Sequence, residues 1–241
     1  MCGRYVSSTP LAALAERFMV DEVKAPETEA RYNVAPTDEV YAVAARHGVR
    51  KLGTFRWGLV PHWAKDPSVG NRMINLRAET VSERPSFQRT LQRHRCVIPA
   101  DGFYEWKNMG RGRRKQPFFI RGKDGQPLAL AGLWEAWKER ADDEAVSEGD
   151  AEAEWLRTCT VITTEPNELL APVHDRMPAI LTPGDVDTWL DESVTDVGTL
   201  SKLLRPCPSE LLEMWPVTTE VNTVANDGPQ LVEPLEGHEP E

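Results

Sequence analysis

Helix-like and strand-like segments follow one another in this chain without a repeating strand–helix–strand rhythm, and that irregularity limits the fold more than any other feature. Parallel sheets need a long crossover after every strand, whereas antiparallel strands join through short turns. STPLAALAERF (8–18) has the apolar spacing of a short helix with Ser8 or Thr9 as its N-cap. VYAVAA and TFRWGLV alternate as strands, and His47-Gly48 suits a hairpin turn between them. SERPSFQRTLQRHR reads as a helix leading into the strand-like RCVIPADGFYEW. QPFFIRGKDGQPLALAGLW sets two apolar runs around Asp124-Gly125, a strong hairpin signal. TCTVITT is a β-branched strand, GDVDTWLD and TLSKLLR are helical, and MWPVTTEVN alternates as a late strand. The pattern predicts an α+β fold built on antiparallel sheet, in one domain over 1–227 with a flexible acidic tail at 228–241.

Apolar residues are 40% of the 241, and eight are tryptophan, enough for a sizeable core. No run approaches the roughly 18 apolar residues that span a bilayer, and no basic-then-apolar leader is visible. The four cysteines, Cys2, Cys96, Cys159 and Cys207, lack metal-ligand spacing and suggest no disulfide framework. The expectation is a cytoplasmic protein, nucleoid-associated if bacterial, with reduced thiols, no metal, no other cofactor and no membrane partner.

The net charge of −10 argues against a nucleic-acid partner until its distribution is read. Residues 141–154 hold seven acids and 228–241 hold four, with no Lys or Arg in either; elsewhere 27 acids face 28 bases. Residues 71–123 carry 13 Lys and Arg against four acids. Nucleic acid responds to such a basic patch and not to whole-chain charge. A scattered, solvated surface is the competing reading. The stretch 141–154 is expected to be a loop insertion lying away from any DNA groove.

Cys2 follows the initiator methionine, which is trimmed when the next residue is small. Its freed α-amine would have a pKa near 8 and its thiol about 8.5. Such a 1,2-aminothiol condenses with an aldehyde to an imine, and the thiol then closes a five-membered thiazolidine. A cysteine that merely packs is the alternative. In DGFYEW, extended backbone sends Phe103 and Glu105 to one face and Tyr104 and Trp106 to the other. A carboxylate among aromatics is desolvated and its pKa rises toward the range useful for proton transfer; an edge-strand glutamate facing solvent is equally compatible. His174, followed by Asp175-Arg176, has a titratable ring with a carboxylate beside it, or is structural. Asn75 and Arg77 share a face if extended, an amide and a guanidinium suited to sugar and phosphate. Trp57 and Trp63 flank His62; Trp57 is expected in the core.

MCGRY, YNVAPT, RWGLVPHW, INLRAET, RCVIPADGFYEW, ITTEPN and VHDRMPAIL, in this order, resemble the SRAP family, the SOS response-associated peptidases or abasic-site processing proteins. The resemblance implies a single α+β domain with a barrel-like, mainly antiparallel β core and peripheral helices. It implies recognition of abasic sites in single-stranded DNA by a monomer, and covalent cross-linking through Cys2 after Met1 removal. By the same resemblance Asn75 positions the cysteine amine and opened sugar, Glu105 is the general acid/base, and His174 assists ring opening. Arg4, Arg77 and Thr163 contact DNA phosphates, and Trp63 lies near the bases beside the lesion. Autopeptidase and weak lyase activity belong to the same expectation. The basic NMGRGRRKQ (108–116) either extends the DNA groove or is a solvated turn. Two other classes remain open: an N-terminal-nucleophile cysteine amidase or peptidase, and a DNA-binding module without chemistry.

Overall fold

The computed structural model describes residues 2–110, 112–139 and 155–237. The chain begins β1 (Tyr5–Ser7), α1 (Leu11–Arg17), β2 (Glu22–Val23), β3 (Arg31–Val34), β4 (Glu39–Arg46) and β5 (Val49–Trp57). It continues β6 (Asn75–Arg77), α2 (Ala78–Glu83), α3 (Pro85–Arg93), β7 (Arg95–Ala100), β8 (Gly102–Lys107) and β9 (Gln116–Gly122). The remainder is β10 (Leu128–Trp137), β11 (Leu156–Thr164), β12 (Met177–Pro178), β13 (Ile180–Leu181), α4 (Pro183–Leu190), α5 (Val197–Leu203) and β14 (Leu212–Pro216).

One sheet runs β14-β9-β8-β1-β3; the other runs β12-β11-β10-β7-β4-β5-β2. In the second, β11 also pairs in parallel with β5, Thr158 opposite Arg56 and Cys159 opposite Trp57. That pairing closes β5-β4-β7-β10-β11 into a ring, so the expected α+β fold with a barrel-like, mainly antiparallel core is present. The β4–β5 turn is tight because His47 and Gly48 both adopt positive φ, 56° and 74°, as a two-residue hairpin requires.

Alternation along the strands sorts the apolar side chains into layers. Tyr41, Val43, Val97 and Ala131 face the helices and share a core with Leu14, Leu91, Trp189 and Leu200. Ala42, Cys96, Leu130 and Cys159 face the other way and share a core with Cys2, Tyr5, Phe103 and Ile120. On the far side of the five-stranded sheet, Tyr104, Phe119 and Trp215 meet Val217, Val221 and Leu231.

Three expectations are corrected. The Asp124-Gly125 turn forms, with Gly125 at φ 67°, yet β9 and β10 are not a hairpin. β9 is paired on both edges by β8 and β14, and β10 by β7 and β11, so the turn carries the chain between sheets. Ser8 and Thr9 do not cap α1; their amides donate to Asp101 and the helix starts after Pro10. Residues 228–237 are not a loose tail: Leu231 is buried, Val232 O accepts the Trp215 indole N–H at 2.8 Å, and Leu235 N–H donates to Pro216 O at 3.0 Å. The insertion 141–154 falls outside the described residues.

The C-terminal segment is fastened by Asn33, fully buried in β3. Its Nδ2 donates to Val221 O, Thr223 O and Asn226 O, and its Oδ1 accepts from Arg4 Nη1 at 2.8 Å. Asn33→Ala removes all four contacts and is expected to cost about 3 kcal/mol. Urea unfolding measures that loss, and hydrogen exchange should quicken first in 217–235.

Candidate active site

β1 pairs with β8 in antiparallel register, Tyr5 opposite Phe103 and Val6 opposite Gly102, and the Tyr104 amide donates to Arg4 O. Extending that register past Tyr5 sets Gly3 opposite Glu105 and Cys2 opposite Trp106. The alternation expected in DGFYEW is present: Tyr104 packs outward on Phe119 and Trp106, while Phe103 joins the core that holds Cys2. Glu105 is therefore buried, 1% exposed, and Cys2 is wholly buried.

β6 pairs in parallel with β11, Asn75 opposite Val161. From there Asn75 Nδ2 donates to Cys2 O at 2.8 Å, fixing the backbone of the second residue. Asn75 Oδ1 is out of water and has no hydrogen-bond partner among the described residues. His174 Nε2 lies 4.0 Å from Glu105 Oε2. Its Nδ1 accepts the Arg176 amide N–H at 3.0 Å and lies 2.9 Å from Asp175 Oδ1. These two contacts make opposite demands on Nδ1. The backbone donor is fixed, whereas Asp175 is solvated, so the neutral tautomer carries its proton on Nε2, toward Glu105.

Burial shapes the electrostatics. Desolvation raises Glu105 from 4.5 to about 7 against the pull of the N-terminal ammonium. Desolvation and the Glu105 charge push the Cys2 thiol far above its ordinary value. Burial, then the N-terminal ammonium, lower the His174 pKa; Asp175 opposes them. The site thus holds a protonated thiol, an acid that half-ionises near neutrality, and a neutral imidazole. Among the described residues no group of three His, Cys, Asp or Glu is placed to hold a metal ion.

Cys2, Asn75, Glu105 and His174 are brought together. Arg77 is exposed at the end of β6, and Trp63 is 60% exposed on the loop after β5. Arg4 is directed elsewhere: Nη1 donates to Asn33 Oδ1 and Val221 O, so it ties the C-terminal segment down. Thr163 is corrected as a DNA contact, because it is fully buried with its hydroxyl toward Leu76 O; Thr164 is buried too. Lys115, in the basic β8–β9 connection, is close enough for its charge to depress the His174 pKa. Two residues escaped the sequence reading. Arg176 grips Glu79 with both terminal nitrogens and donates to Thr163 O at 2.6 Å, holding the His174 turn against α2 and β11. Asn33 holds Arg4. Both also donate to backbone carbonyls, which no motif reveals.

A buried cysteine at the second position, a buried carboxyl group and a half-buried imidazole thus lie together beside a small β-barrel. The chain belongs to the SRAP family: the model described as SOS response associated peptidase (SRAP) matches residues 1–224. It is 42% identical over 235 residues to the abasic site processing protein YoqW of Bacillus subtilis (strain 168), covering 97% of this chain and 99% of the relative. It is 32% identical to abasic site processing protein YedK of Escherichia coli (strain K12), covering 98% and 100%, and 33% identical to HMCES of Gallus gallus, covering 98% and 78%. A crystal structure of a protein from Bacteroides thetaiotaomicron superposes with a TM-score of 0.81 at 24% identity, over 97% of this chain and all of that one, a likeness of fold.

The raised Glu105 pKa has a consequence for stability. An acid raised on folding stabilises the fold below its ordinary value of 4.5 and loses that contribution as pH climbs through about 7. Glu105→Gln should therefore gain on the parent between pH 5 and pH 8, by something on the order of 3 kcal/mol. Denaturant titrations at the two pH values measure it; an unchanging difference would mean that Glu105 is not held in its acid form.

Proposed function

We propose that the chain recognises abasic sites in single-stranded DNA and captures them as a covalent thiazolidine through Cys2, once Met1 has been removed by the protein itself or by an aminopeptidase. The observation that carries this reading is Glu105, buried beside Cys2 with a pKa near 7. The names of the relatives support abasic DNA as the substrate.

The Cys2 amine adds to the C1′ aldehyde of the ring-opened sugar, giving a carbinolamine. Glu105, in its acid form, protonates the hydroxyl, which leaves as water, and an iminium remains. The resulting Glu105 carboxylate takes the Cys2 thiol proton. The thiolate adds to the iminium carbon and closes the ring. Glu105 is restored, and the sum is aldehyde plus aminothiol giving thiazolidine plus one water. A thiol with a raised pKa needs such a base at the moment of attack, and a group titrating near 7 serves as acid and base in turn. His174, with its proton on Nε2, serves at the sugar-ring oxygen. Asn75 holds the Cys2 carbonyl, and its free Oδ1 is available to the amine. Arg77, Trp63 and the basic 108–115 connection supply the strand's surroundings.

Ring closure removes the C=N bond that assists β-elimination, so the adduct protects the strand. Cys2→Ala keeps an N-terminal amine and loses the thiol. Incubated with abasic single-stranded DNA and run on a denaturing gel, it should show no stable covalent band and retain weak strand cleavage through the imine. An undiminished band would overturn the assignment of Cys2, and an adduct-free parent protein would point to the N-terminal-nucleophile amidase.

A further inference from the structure

One end of the barrel opens into a cavity of about 450 Å³ that shares no residue with the Cys2 centre. It lies where β4 ends, β5 begins, β10 ends and β11 begins. From Arg157 at that end to Thr163 beside the His174 turn, six residues of extended β11 span roughly 20 Å. Phe55, Trp134 and Trp155 supply aromatic surface, Lys24, Lys51, Arg46 and Arg157 supply cations, and among the described residues no lining residue is acidic.

Phe55 is buried in the barrel core and meets Trp134 edge to face, centroids 6.0 Å apart, whereas core packing does not explain Trp155. Trp155 is 59% exposed. Trp134 is stacked on His94 with centroids 4.7 Å apart, and its indole N–H has no acceptor among the described residues. The cations divide into two pairs. Lys24 and Lys51 both contact Glu22, at 3.0 and 3.2 Å, and are partly neutralised. Arg46 and Arg157 are exposed and have no ion pair among the described residues. A purely apolar ligand would leave those guanidinium groups unused, and a bare anion would leave the indoles unused. An aromatic base carrying a phosphate uses both, by stacking and by the guanidinium–phosphate geometry. The volume falls within the roughly 300–1,000 Å³ typical of small-ligand sites.

We propose that this cavity is a nucleotide-binding site separate from the Cys2 centre, taking a base against Trp155 and Trp134 and its phosphate on Arg46 and Arg157. The nucleotide is either free or part of a single strand.

The full-length protein labelled with 5-fluorotryptophan gives a local readout by fluorine NMR, with the Trp155 signal assigned through Trp155→Phe. Thymidine monophosphate and an unmodified hexathymidylate are titrated separately. Neither has an abasic aldehyde, so the outcome is independent of the chemistry proposed for Cys2. The Trp155 signal should shift saturably. A shift with the mononucleotide identifies a free nucleotide as sufficient, and a shift with the hexamer alone identifies a nucleotide within a strand. In either case the Arg46→Ala/Arg157→Ala variant should bind at least about tenfold more weakly, as expected for lost charge-assisted hydrogen bonds. Its other indole signals report that the fold is intact. A Trp155 signal unmoved by both titrants, or a shift that persists unweakened in the double variant, would overturn the proposal.

Discussion

Strand β11 is the constraint on which the rest of the structure depends. Its upstream half pairs with β5 and closes the ring; its downstream half pairs with β6 and sets Asn75 opposite Val161. At its end, Thr163 O accepts from Arg176 and so fixes the turn that carries His174. Its residues Thr158 to Thr164 are all buried, which fits a strand satisfied on both edges and covered on both faces. Closure and the placement of Asn75 and His174 thus depend on hydrogen bonds made at successive points along one strand.

Burial then does the chemical tuning. β8 turns Glu105 into the core that holds Cys2, and the cost of keeping a carboxylate there is what moves its pKa to about 7. The same desolvation keeps the neighbouring thiol protonated. The N-terminal ammonium is the main counterweight to burial at Glu105, whereas at His174 it adds to burial and Asp175 is the counterweight. A carboxyl group poised this way responds to whatever charge occupies the position of the amine.

The sequence made the strands and their faces legible, because period-two patterning survives wherever one side of a strand meets a different layer from the other. It did so for Phe103 and Glu105 against Tyr104 and Trp106, and for the helices α4 and α5. Partnering between strands was not legible. The run around Asp124-Gly125 has hairpin chemistry, yet β9 and β10 each find better-placed neighbours at a distance in sequence, and tertiary pairing overrides the local signal. Of the residues singled out by motif, Cys2, Asn75, Glu105 and His174 lie together. Thr163 does not, because its contribution is a carbonyl, and Arg4 does not, because its charge is directed inward to Asn33. The burial of Asn33 and Thr163 carries no such signal.

A reactive group at a chain terminus poses a particular problem of order. Residues within a strand are restrained on both sides, whereas a terminal residue is restrained on one, and loose ends lose the geometric advantage on which proximity effects rest. The fold supplies the missing restraint from outside the segment. β1 is only three residues long, yet it lies between β3 and β8, Arg4 is pinned by Asn33, and Asn75 reaches across to the Cys2 carbonyl. Asn33 in turn draws its other partners from 221–226, so the last part of the chain secures the first. Releasing that segment would remove the Val221 O contact of Arg4 and three acceptors of Asn33, and so loosen the restraint on the first strand.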